Sequence, residues 1–189
     1  MVGRRLIALA APTNWGLTPI IKVLEKWYIP VYTFLMLFLS RVCSALTEKG
    51  VRYAIVGGHA VALHGAVRGT VDVDIALRWT LKTLQATEQA LLHIGLVSRL
   101  PVSADDVFQF RAEYVRNRNL VGWNFFNPDN PGEQVDIVIT YDLKGRTLDS
   151  VATADGKVPI LGRKDLIEMK RVSGRPQDLE DVKALESLS

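Results

Sequence analysis

The sequence contains a single cysteine, Cys43, among its 189 residues. One cysteine excludes an internal disulfide, and it also excludes a zinc site built on paired cysteines. We therefore expect a reducing setting, for which the cytoplasm is the simplest interpretation. We expect Cys43 itself to be a buried core thiol, because Arg41 alone does not make a basic pattern that would activate it.

The sequence also lacks an apolar run long enough to cross a membrane. Its most apolar segment, residues 28–39, contains Pro30 and is followed closely by Arg41, whereas a membrane-spanning helix needs about 20 consecutive apolar residues. We expect no membrane span. We interpret residues 1–30 as a variable N-terminal extension, and residues 31–189 as the folded domain.

No strong charge of either sign is present, since 23 basic and 20 acidic residues leave a net charge of +3. A mildly basic chain is compatible with nucleic acid or nucleotide partners but does not require them. The hydrophobic fraction of 48% is that of an ordinary globular protein. The chain is therefore long enough and apolar enough to form a proper core.

The pattern of apolar residues predicts an α/β (α+β) fold, with a mixed, twisted sheet flanked by helices. Residues 107–115 carry cues for both strand and helix, and both remain open. The turn cluster at 127–132 predicts a hairpin, in whose first strand Trp123 and Phe125 face the core. We expect helices over residues 31–49, 59–64, 80–94, 164–172 and 176–188, and strands over residues 52–56, 71–77, 120–126, 134–141 and 157–161.

Two aspartates, Asp72 and Asp74, lie on the predicted strand 71–77 and are separated by one residue. Because side chains alternate along a strand, both carboxylates face the same way, whereas Val71 and Val73 are expected to face the core. Adjacent carboxylates on an apolar strand repel each other and resist burial. A cation between them would stabilise the pair.

A third aspartate, Asp136, lies between Val135 and Ile137 on a later predicted strand. If the two strands are neighbours, the three carboxylates meet on one face of the sheet. Carboxylate oxygens suit Mg²⁺ or Mn²⁺, and two such ions can activate a hydroxyl and neutralise a leaving pyrophosphate. A solvated strand face is the alternative, but the paired aspartates that follow Gly57-Gly58 favour a metal site.

The Gly57-Gly58 pair follows the first predicted strand. Its spacing is neither that of a P-loop nor that of a dinucleotide-binding fingerprint. Glycines permit close backbone approach, and free N–H groups at a turn before a helix favour anionic phosphates. An ordinary turn is the alternative.

Three motifs follow one another with a characteristic spacing: Gly57-Gly58, then Asp72-Val-Asp74 after thirteen intervening residues, then Asp136. This arrangement resembles the nucleotidyltransferase superfamily of the polymerase-β type. The segment Arg68-Gly-Thr-Val-Asp-Val-Asp74 is similar to the Arg-x-Ser/Thr-x-Asp-hydrophobic-Asp form of its minimal and toxin-like bacterial branches. The resemblance covers about residues 51–188 and implies the nucleotidyltransferase fold.

Two C-terminal stretches extend the resemblance: Lys164-Asp-Leu-Ile-Glu-Met-Lys170 and Gly174-Arg-Pro-Gln-Asp-Leu-Glu-Asp181. Together they resemble the Lys…Gly-Arg-x-Lys-Asp-x-x-Asp segment of abortive-infection toxin-like nucleotidyltransferases. Two departures stand out, because Gln177 replaces the usual lysine and Gly58 replaces a serine that is frequent in the superfamily. This branch implies an RNA acceptor (such as a tRNA 3′ end) or a protein acceptor, and it also implies a cognate antitoxin.

The resemblance implies roles for individual residues. Asp72, Asp74 and Asp136 hold two Mg²⁺ or Mn²⁺ ions, and Asp136 also helps to deprotonate the acceptor hydroxyl. The two glycines lie under the triphosphate, and Lys170 pairs with phosphate or with developing charge. The implied catalytic residues are Asp72, Asp74, Asp136 and Lys170, and the implied nucleotide-binding residues are Gly57, Gly58, Arg68, Arg175 and Asp178.

Some of these residues have simpler explanations. Lys170 lies near the buried face of its predicted helix, where it needs an anion or must extend its ammonium group to solvent. Asp178 lies in the first turn of the last helix, where a carboxylate is favourable in any case. For Arg175, the alternative partners are Asp178 and a phosphate. For Arg68, they are the aspartate pair at positions 72 and 74 and the substrate.

The predicted activity is metal-dependent transfer of a nucleotidyl group from a nucleoside triphosphate, such as ATP, to an acceptor hydroxyl. A small-molecule nucleotidyltransferase of the antibiotic type is one alternative. A non-catalytic module of the same fold that binds RNA or a partner is another, against which the complete set of three aspartates argues.

Overall fold

The structure is a computed structural model that describes residues 36–153 and 156–188. The predicted extension over residues 1–30, and the start of the helix predicted from residue 31, lie outside the described residues. The first described helix, α1, covers residues 36–48 and ends before Gly50, as the sequence predicts. Within the described ranges, none of the helices has both the length and the apolar character that a membrane span requires.

Seven described strands form one sheet: β1 (Tyr53–Ile55), β2 (Val73–Leu77), β3 (Val97–Ser98), β4 (Gly122–Asn127), β5 (Asn130–Asp142), β6 (Leu148–Thr153) and β7 (Gly156–Leu161). Their order across the sheet is β3-β4-β5-β2-β1-β7-β6. The pairs β2–β5 and β1–β7 are parallel, and the remaining neighbours are antiparallel. The predicted mixed sheet is therefore confirmed, and so is the hairpin of β4 and β5.

Six further helices of the described residues flank the sheet: α2 (Gly57–Leu63), α3 (Leu81–His93), α4 (Ala104–Gln109), α5 (Arg111–Asn117), α6 (Arg163–Ser173) and α7 (Pro176–Glu186). Thr80 caps α3 as predicted, since its hydroxyl accepts a hydrogen bond from the Thr83 N–H. The ambiguous segment 107–115 falls within α4 and α5, with Phe110 as the turn between them. The capping box of Ser103 and Asp106 begins α4 and decides the ambiguity in favour of helix.

Two strands, β3 and β6, were not predicted. β3 has two residues and pairs with β4, and β6 lies where a loop was expected. Both are at the edges of the sheet, and neither presents a continuous buried face. An edge strand of this kind carries no strong alternation of apolar residues, so its sequence does not reveal it.

The register of the central strands is fixed by one row of buried side chains. Ile55, Ile75, Ile137 and Trp123 are paired across β1, β2, β5 and β4. All four are 0% exposed, and burial of each such side chain contributes about 1.5–3 kcal/mol. A shift of one residue would expose the whole row, so the register is strongly specified.

Candidate active site

A row of polar side chains crosses three neighbouring strands on the face opposite the buried row. Asp74 of β2 is paired with Asp136 of β5, and Asp136 is paired with Asn124 of β4. Side chains at directly paired positions are close neighbours on one face of a sheet. The register that buries Ile75 and Ile137 therefore also brings the two aspartates together.

Asp72 completes a group of three carboxylates. Asp72, Asp74 and Asp136 each offer an oxygen atom, and these atoms lie within 4.8 Å of one another. β2 begins at Val73, so Asp72 directly precedes the strand instead of lying on it as predicted. The prediction that Val71 faces the core is wrong. Val71 is 51% exposed, because strand alternation does not extend beyond the start of β2.

The three carboxylates affect one another electrostatically. Burial, together with the negative charges of Asp72 and Asp136, raises the pKa of Asp74 from 3.8 to about 7, against the opposing charges of Lys170 and Arg175. A divalent cation between the carboxylates would remove this repulsion. The donor set consists of carboxylate oxygens alone, which fits Mg²⁺ or Mn²⁺.

Gly57 lies directly against Asp74. A Cβ atom on Gly57 would lie 1.7 Å from Asp74 Oδ2, and the residue has a φ of +60°. The space that a side chain would fill is thus occupied by the carboxylate itself. α2 begins at Gly57, so the glycine pair lies inside the first turn of the helix, and the prediction of a separate turn before residue 59 is wrong.

Gly58 faces a different neighbour. A Cβ atom on Gly58 would lie 2.7 Å from Thr70 Cβ and 2.9 Å from Thr70 Oγ1. The Thr70 hydroxyl donates a hydrogen bond of 3.2 Å to Asp72 Oδ1. Thr70 therefore fills the space that a serine at position 58 would need.

Replacing Gly58 by serine is expected to destabilise the protein by about 1–3 kcal/mol, because the new side chain overlaps Thr70. Combining it with Thr70→Gly, which removes the Thr70 Cβ atom as well as the hydroxyl and methyl groups, should relieve the overlap and give a coupling energy of about 1 kcal/mol or more in a double-mutant cycle. Urea unfolding of the four proteins measures both quantities. The matched control is Gly69→Ser, since a Cβ atom on Gly69 meets nothing within 4 Å. Additive effects of the two substitutions would contradict the steric explanation.

A C-terminal charge cluster, defined as Lys170, Asp178, Asp181, Arg68 and Arg175, joins α6, α7 and the loop before β2. Lys170 Nζ donates hydrogen bonds to Asp178 Oδ1 at 3.0 Å and to Asp181 Oδ2 at 2.6 Å. Arg68 Nε lies 3.1 Å from Asp181 Oδ1, and Arg175 Nε donates to Asp178 Oδ2 at 2.6 Å. The anions that a buried Lys170 requires are thus supplied by α7.

Members of the C-terminal charge cluster differ sharply in exposure. Lys170 is 5% exposed and Asp178 is 3% exposed, whereas the Arg175 side chain is 76% exposed. Burial raises the pKa of Asp178, but hydrogen bonds from Arg175, Ser173 and Lys170 together lower it to about 2. The predicted phosphate contact of Lys170 stays a prediction, and in the structure its ammonium group is already paired with two carboxylates.

Asn124 was not predicted as a site residue. Its Nδ2 donates a hydrogen bond to Asp136 Oδ1, and its Oδ1 accepts one of 2.6 Å from Arg99 Nε. Trp123 and Phe125 lie in the core as predicted, with 0% exposure. Alternation therefore places Asn124 on the opposite face, but only the register of the hairpin reveals that it pairs with Asp136.

Comparison with known proteins identifies the fold. No protein-family model and no curated protein matches the sequence. Solved structures do match it. The solution structure of the antibiotic-resistance factor ANT(2″)-Ia aligns with a TM-score of 0.58 at 13% identity, over 83% of this chain and 85% of that chain.

Two further structures give similar alignments. An antigenic nucleotidyltransferase-like protein from Paracoccidioides brasiliensis has a TM-score of 0.54 at 18% identity, over 82% of this chain and 76% of that chain. The lincomycin-bound lincosamide antibiotic adenylyltransferase LnuA has a TM-score of 0.50 at 18% identity, over 76% of this chain and 90% of that chain. The chain therefore has the nucleotidyltransferase fold, as the sequence resemblance implies.

Proposed function

We propose that the protein transfers a nucleotidyl group from a nucleoside triphosphate to an acceptor hydroxyl and releases pyrophosphate. The observation that carries the proposal is the register of β2 and β5, which pairs Asp74 with Asp136 and leaves Asp72 within 4.8 Å of both. This arrangement of carboxylates lies on the fold of known nucleotidyltransferases. A non-catalytic module would gain nothing from the mutual repulsion of three such groups.

Asp72, Asp74 and Asp136 would hold Mg²⁺ or Mn²⁺, and the resemblance to the superfamily implies two ions. When bound, these ions would neutralise phosphate charge and make the acceptor hydroxyl a better nucleophile. Thr70 supports this role, because its hydroxyl donates to Asp72 Oδ1 and fixes the position of that carboxylate. Gly57 supports it as well, because the absence of a side chain leaves the space that the Asp74 carboxylate occupies.

The remaining residues would position the triphosphate. We assign Gly57 and Gly58 a contact with phosphate through their backbone N–H groups in the first turn of α2, because the space beside their Cα atoms is filled by Asp74 and Thr70. Arg175 is the exposed member of the C-terminal charge cluster, and its charge lowers the pKa of Asp74. We assign it a contact with phosphate oxygens, for which a guanidinium group is well suited.

Lys170 would act through its partners. Its ammonium group holds Asp178 and Asp181, which in turn hold Arg175 and Arg68 by ion pairs. We therefore assign Lys170 a positioning role that keeps the Arg175 guanidinium close to the aspartates. Direct contact of Lys170 with phosphate would require its two present hydrogen bonds to break.

In the transfer step, the acceptor oxygen attacks the α-phosphorus of the nucleotide. The bond from that phosphorus to the oxygen bridging to the β-phosphate breaks, and pyrophosphate leaves with the bonding electrons. The proton of the acceptor hydroxyl passes to Asp136. We assign it to Oδ2, because Asn124 already donates to Oδ1.

The proposed acceptor is RNA, such as a tRNA 3′ end, or a protein side chain, as the resemblance to the toxin-like branch implies. The C-terminal charge cluster supports that resemblance, because it joins Lys170, Asp178 and Asp181, which belong to the segment that carries it. A role as the toxin of a toxin–antitoxin pair, with a cognate antitoxin as partner, belongs to the same proposal.

A small antibiotic molecule is a second candidate acceptor. It is favoured by the structural likeness to ANT(2″)-Ia and to LnuA. This chain covers 85% of the first protein and 90% of the second, so its size is compatible with this alternative.

The proposal is tested by incubating the protein with each α-labelled nucleoside triphosphate, Mg²⁺ and either total RNA, total protein or a panel of antibiotics. We expect label to enter RNA or protein with the wild type and with the control Asp149→Asn, which changes an exposed aspartate. We expect loss of transfer by about 1,000-fold or more with Asp72→Asn, because a metal ligand is lost.

Three outcomes would contradict parts of the proposed function. Absence of both transfer and metal-dependent nucleotide binding in the wild type would overturn the proposed activity. Label entering antibiotics alone would select the second candidate. Full transfer by Asp72→Asn would show that the assignment of the metal ligands is wrong.

A further inference from the structure

The site face continues beyond Asp136 toward the edge of the sheet formed by β4 and β3. Arg99 directly follows β3, and its backbone N–H donates to Asn124 O at 2.9 Å. Its side-chain Nε donates to Asn124 Oδ1 at 2.6 Å, and Asn124 Nδ2 donates to Asp136 Oδ1. The guanidinium carbon of Arg99 lies 4.6 Å from the centre of the Phe126 ring. We call Arg99, Asn124 and Phe126 the edge platform.

The positive charge of the edge platform is available to a ligand. Arg99 is exposed, and the partners of its side chain in the described residues are an amide oxygen and an aromatic ring. By contrast, Arg68 and Arg175 are both paired with carboxylates. Stacking on Phe126 and the bond to Asn124 hold the Arg99 guanidinium in one orientation, which lowers the entropic cost of binding an anion.

The edge platform lies on the side of the site from which an acceptor would approach. Across the sheet the order is β4-β5-β2-β1, and Gly57, beside which the triphosphate would lie, follows β1. The attacking and leaving oxygens stand roughly in line in nucleotidyl transfer. If pyrophosphate leaves on the β1 side, the acceptor hydroxyl reaches Asp136 from the β4 side.

We propose that Arg99, held on Phe126, binds the phosphate next to the attacking hydroxyl of an RNA acceptor, and that Asn124 keeps Asp136 aligned with that hydroxyl. This inference rests on the proposed function. A guanidinium group binds phosphate through two parallel hydrogen bonds, and its outer face offers a base a stacking surface. The same charge repels amine-rich antibiotics, so the edge platform would favour an anionic acceptor over a cationic one.

The test compares Arg99→Glu with Arg52→Glu, which makes the same change of charge at an exposed arginine before β1, at the end of that strand away from Gly57. Binding of a fluorescent single-stranded RNA with a 3′ hydroxyl is measured by anisotropy, with Mg²⁺ and a non-hydrolysable nucleoside triphosphate present. We expect Arg99→Glu to weaken RNA binding by about tenfold or more and Arg52→Glu by about twofold or less. Nucleotide binding without RNA should be unchanged in both.

Two further variants separate binding from alignment. Arg99→Lys keeps the charge but loses the bidentate geometry, so we expect RNA affinity between those of wild type and Arg99→Glu. Asn124→Leu removes the hydrogen bond to Asp136 and also one of the two contacts that orient Arg99, so we expect it to lower kcat by about tenfold or more and to weaken RNA binding less than Arg99→Glu does.

Equal RNA affinities of Arg99→Glu and Arg52→Glu would overturn the inference, and so would faster transfer to a protein acceptor than to RNA. Neither outcome would affect the proposed function if the wild type still transfers label in the presence of metal. Failure of the wild type to bind any nucleoside triphosphate with Mg²⁺ would overturn the proposed function instead.

Discussion

Asp74→Asn is expected to stabilise the metal-free protein above neutral pH and to abolish nucleotidyl transfer. Burial and the charges of Asp72 and Asp136 raise the pKa of Asp74 from 3.8 to about 7. A group whose pKa is raised on folding favours the folded state at low pH, and that contribution is lost as the pH rises through the folded-state value. The contribution is fully present below the unfolded-state pKa, so the metal-free wild type should lose stability between about pH 4 and pH 7, whereas the asparagine variant should not show this loss.

The expected gain of Asp74→Asn above about pH 8 is on the order of 2–4 kcal/mol in the free energy of unfolding, from about 1.4 kcal/mol per pKa unit. Urea unfolding in EDTA at several pH values measures it. Mg²⁺ should raise the unfolding temperature of the wild type but not that of the variant, because binding to the folded state requires the three carboxylates.

Asp142→Asn is the matched control, because Asp142 has the opposite environment. Although burial raises its pKa, hydrogen bonds from the Trp79 N–H, from Arg78 and from the Lys144 N–H hold the pKa of Asp142 below its ordinary value. We expect Asp142→Asn to destabilise the protein at neutral pH by about 1–3 kcal/mol. If Asp74→Asn destabilised the protein as much as Asp142→Asn, the repulsion among the three carboxylates would not exist.

Lys170→Met is expected to lower the free energy of unfolding by about 3–5 kcal/mol, because it leaves Asp178 and Asp181 buried without their shared cation. Both aspartates are 3% exposed and accept hydrogen bonds of 3.0 and 2.6 Å from Lys170. Thermal and urea unfolding measure the loss. Lys164→Met makes the same change at an exposed lysine of α6 and should have an effect within about 0.5 kcal/mol.

A combined variant separates stability from activity. Adding Asp178→Asn to Lys170→Met removes a buried carboxylate whose remaining cation, Arg175, is exposed to solvent, so it should recover part of the stability. Transfer should stay low, since Arg175 is no longer held through Asp178 and Lys170. Retention of full activity by Lys170→Met in a folded state would contradict the positioning role, and an effect no larger than that of Lys164→Met would contradict the ion-pair network.

Strand periodicity alone locates most of the acidic site. Alternation around Asp74 and Asp136 predicts that each carboxylate faces away from its apolar neighbours, and the structure has both on the same face. Periodicity does not say which strands are adjacent, because that depends on contacts between residues distant in sequence. The prediction that the three carboxylates meet therefore assumes that β2 and β5 are neighbours, and the sequence pattern does not establish that pairing.

The contacts of the glycine pair cannot be predicted from its immediate neighbours in the sequence. The sequence predicts close backbone approach at Gly57 and Gly58, but the groups that approach are the carboxylate of Asp74 and the side chain of Thr70. Those contacts join a helix start to a strand and a loop that follow it. No pattern within a few residues encodes them, although the identity of the glycines signals that something lies close.

The C-terminal charge cluster and the edge platform show the same limit. Lys170 was expected to need an anion, and the two that it has lie eight and eleven positions later, on another helix. Arg99 gave no signal, since β3 is too short to be recognised and its pairing with β4 brings Arg99 to Asn124. Helix and strand patterns predict secondary-structure elements. The contacts that long side chains make between different elements become known only from the tertiary structure.

The most direct test of a metal site at the three aspartates is anomalous X-ray scattering from crystals grown with Mn²⁺ and a non-hydrolysable nucleoside triphosphate. We expect at least one strong manganese peak within about 2.5 Å of carboxylate oxygens of Asp72, Asp74 and Asp136, with phosphate oxygens completing its coordination. Crystals of Asp74→Asn under the same conditions should lack the peak. A nucleotide bound elsewhere, or a wild-type site without manganese at saturating concentration, would contradict a metal site at these three aspartates.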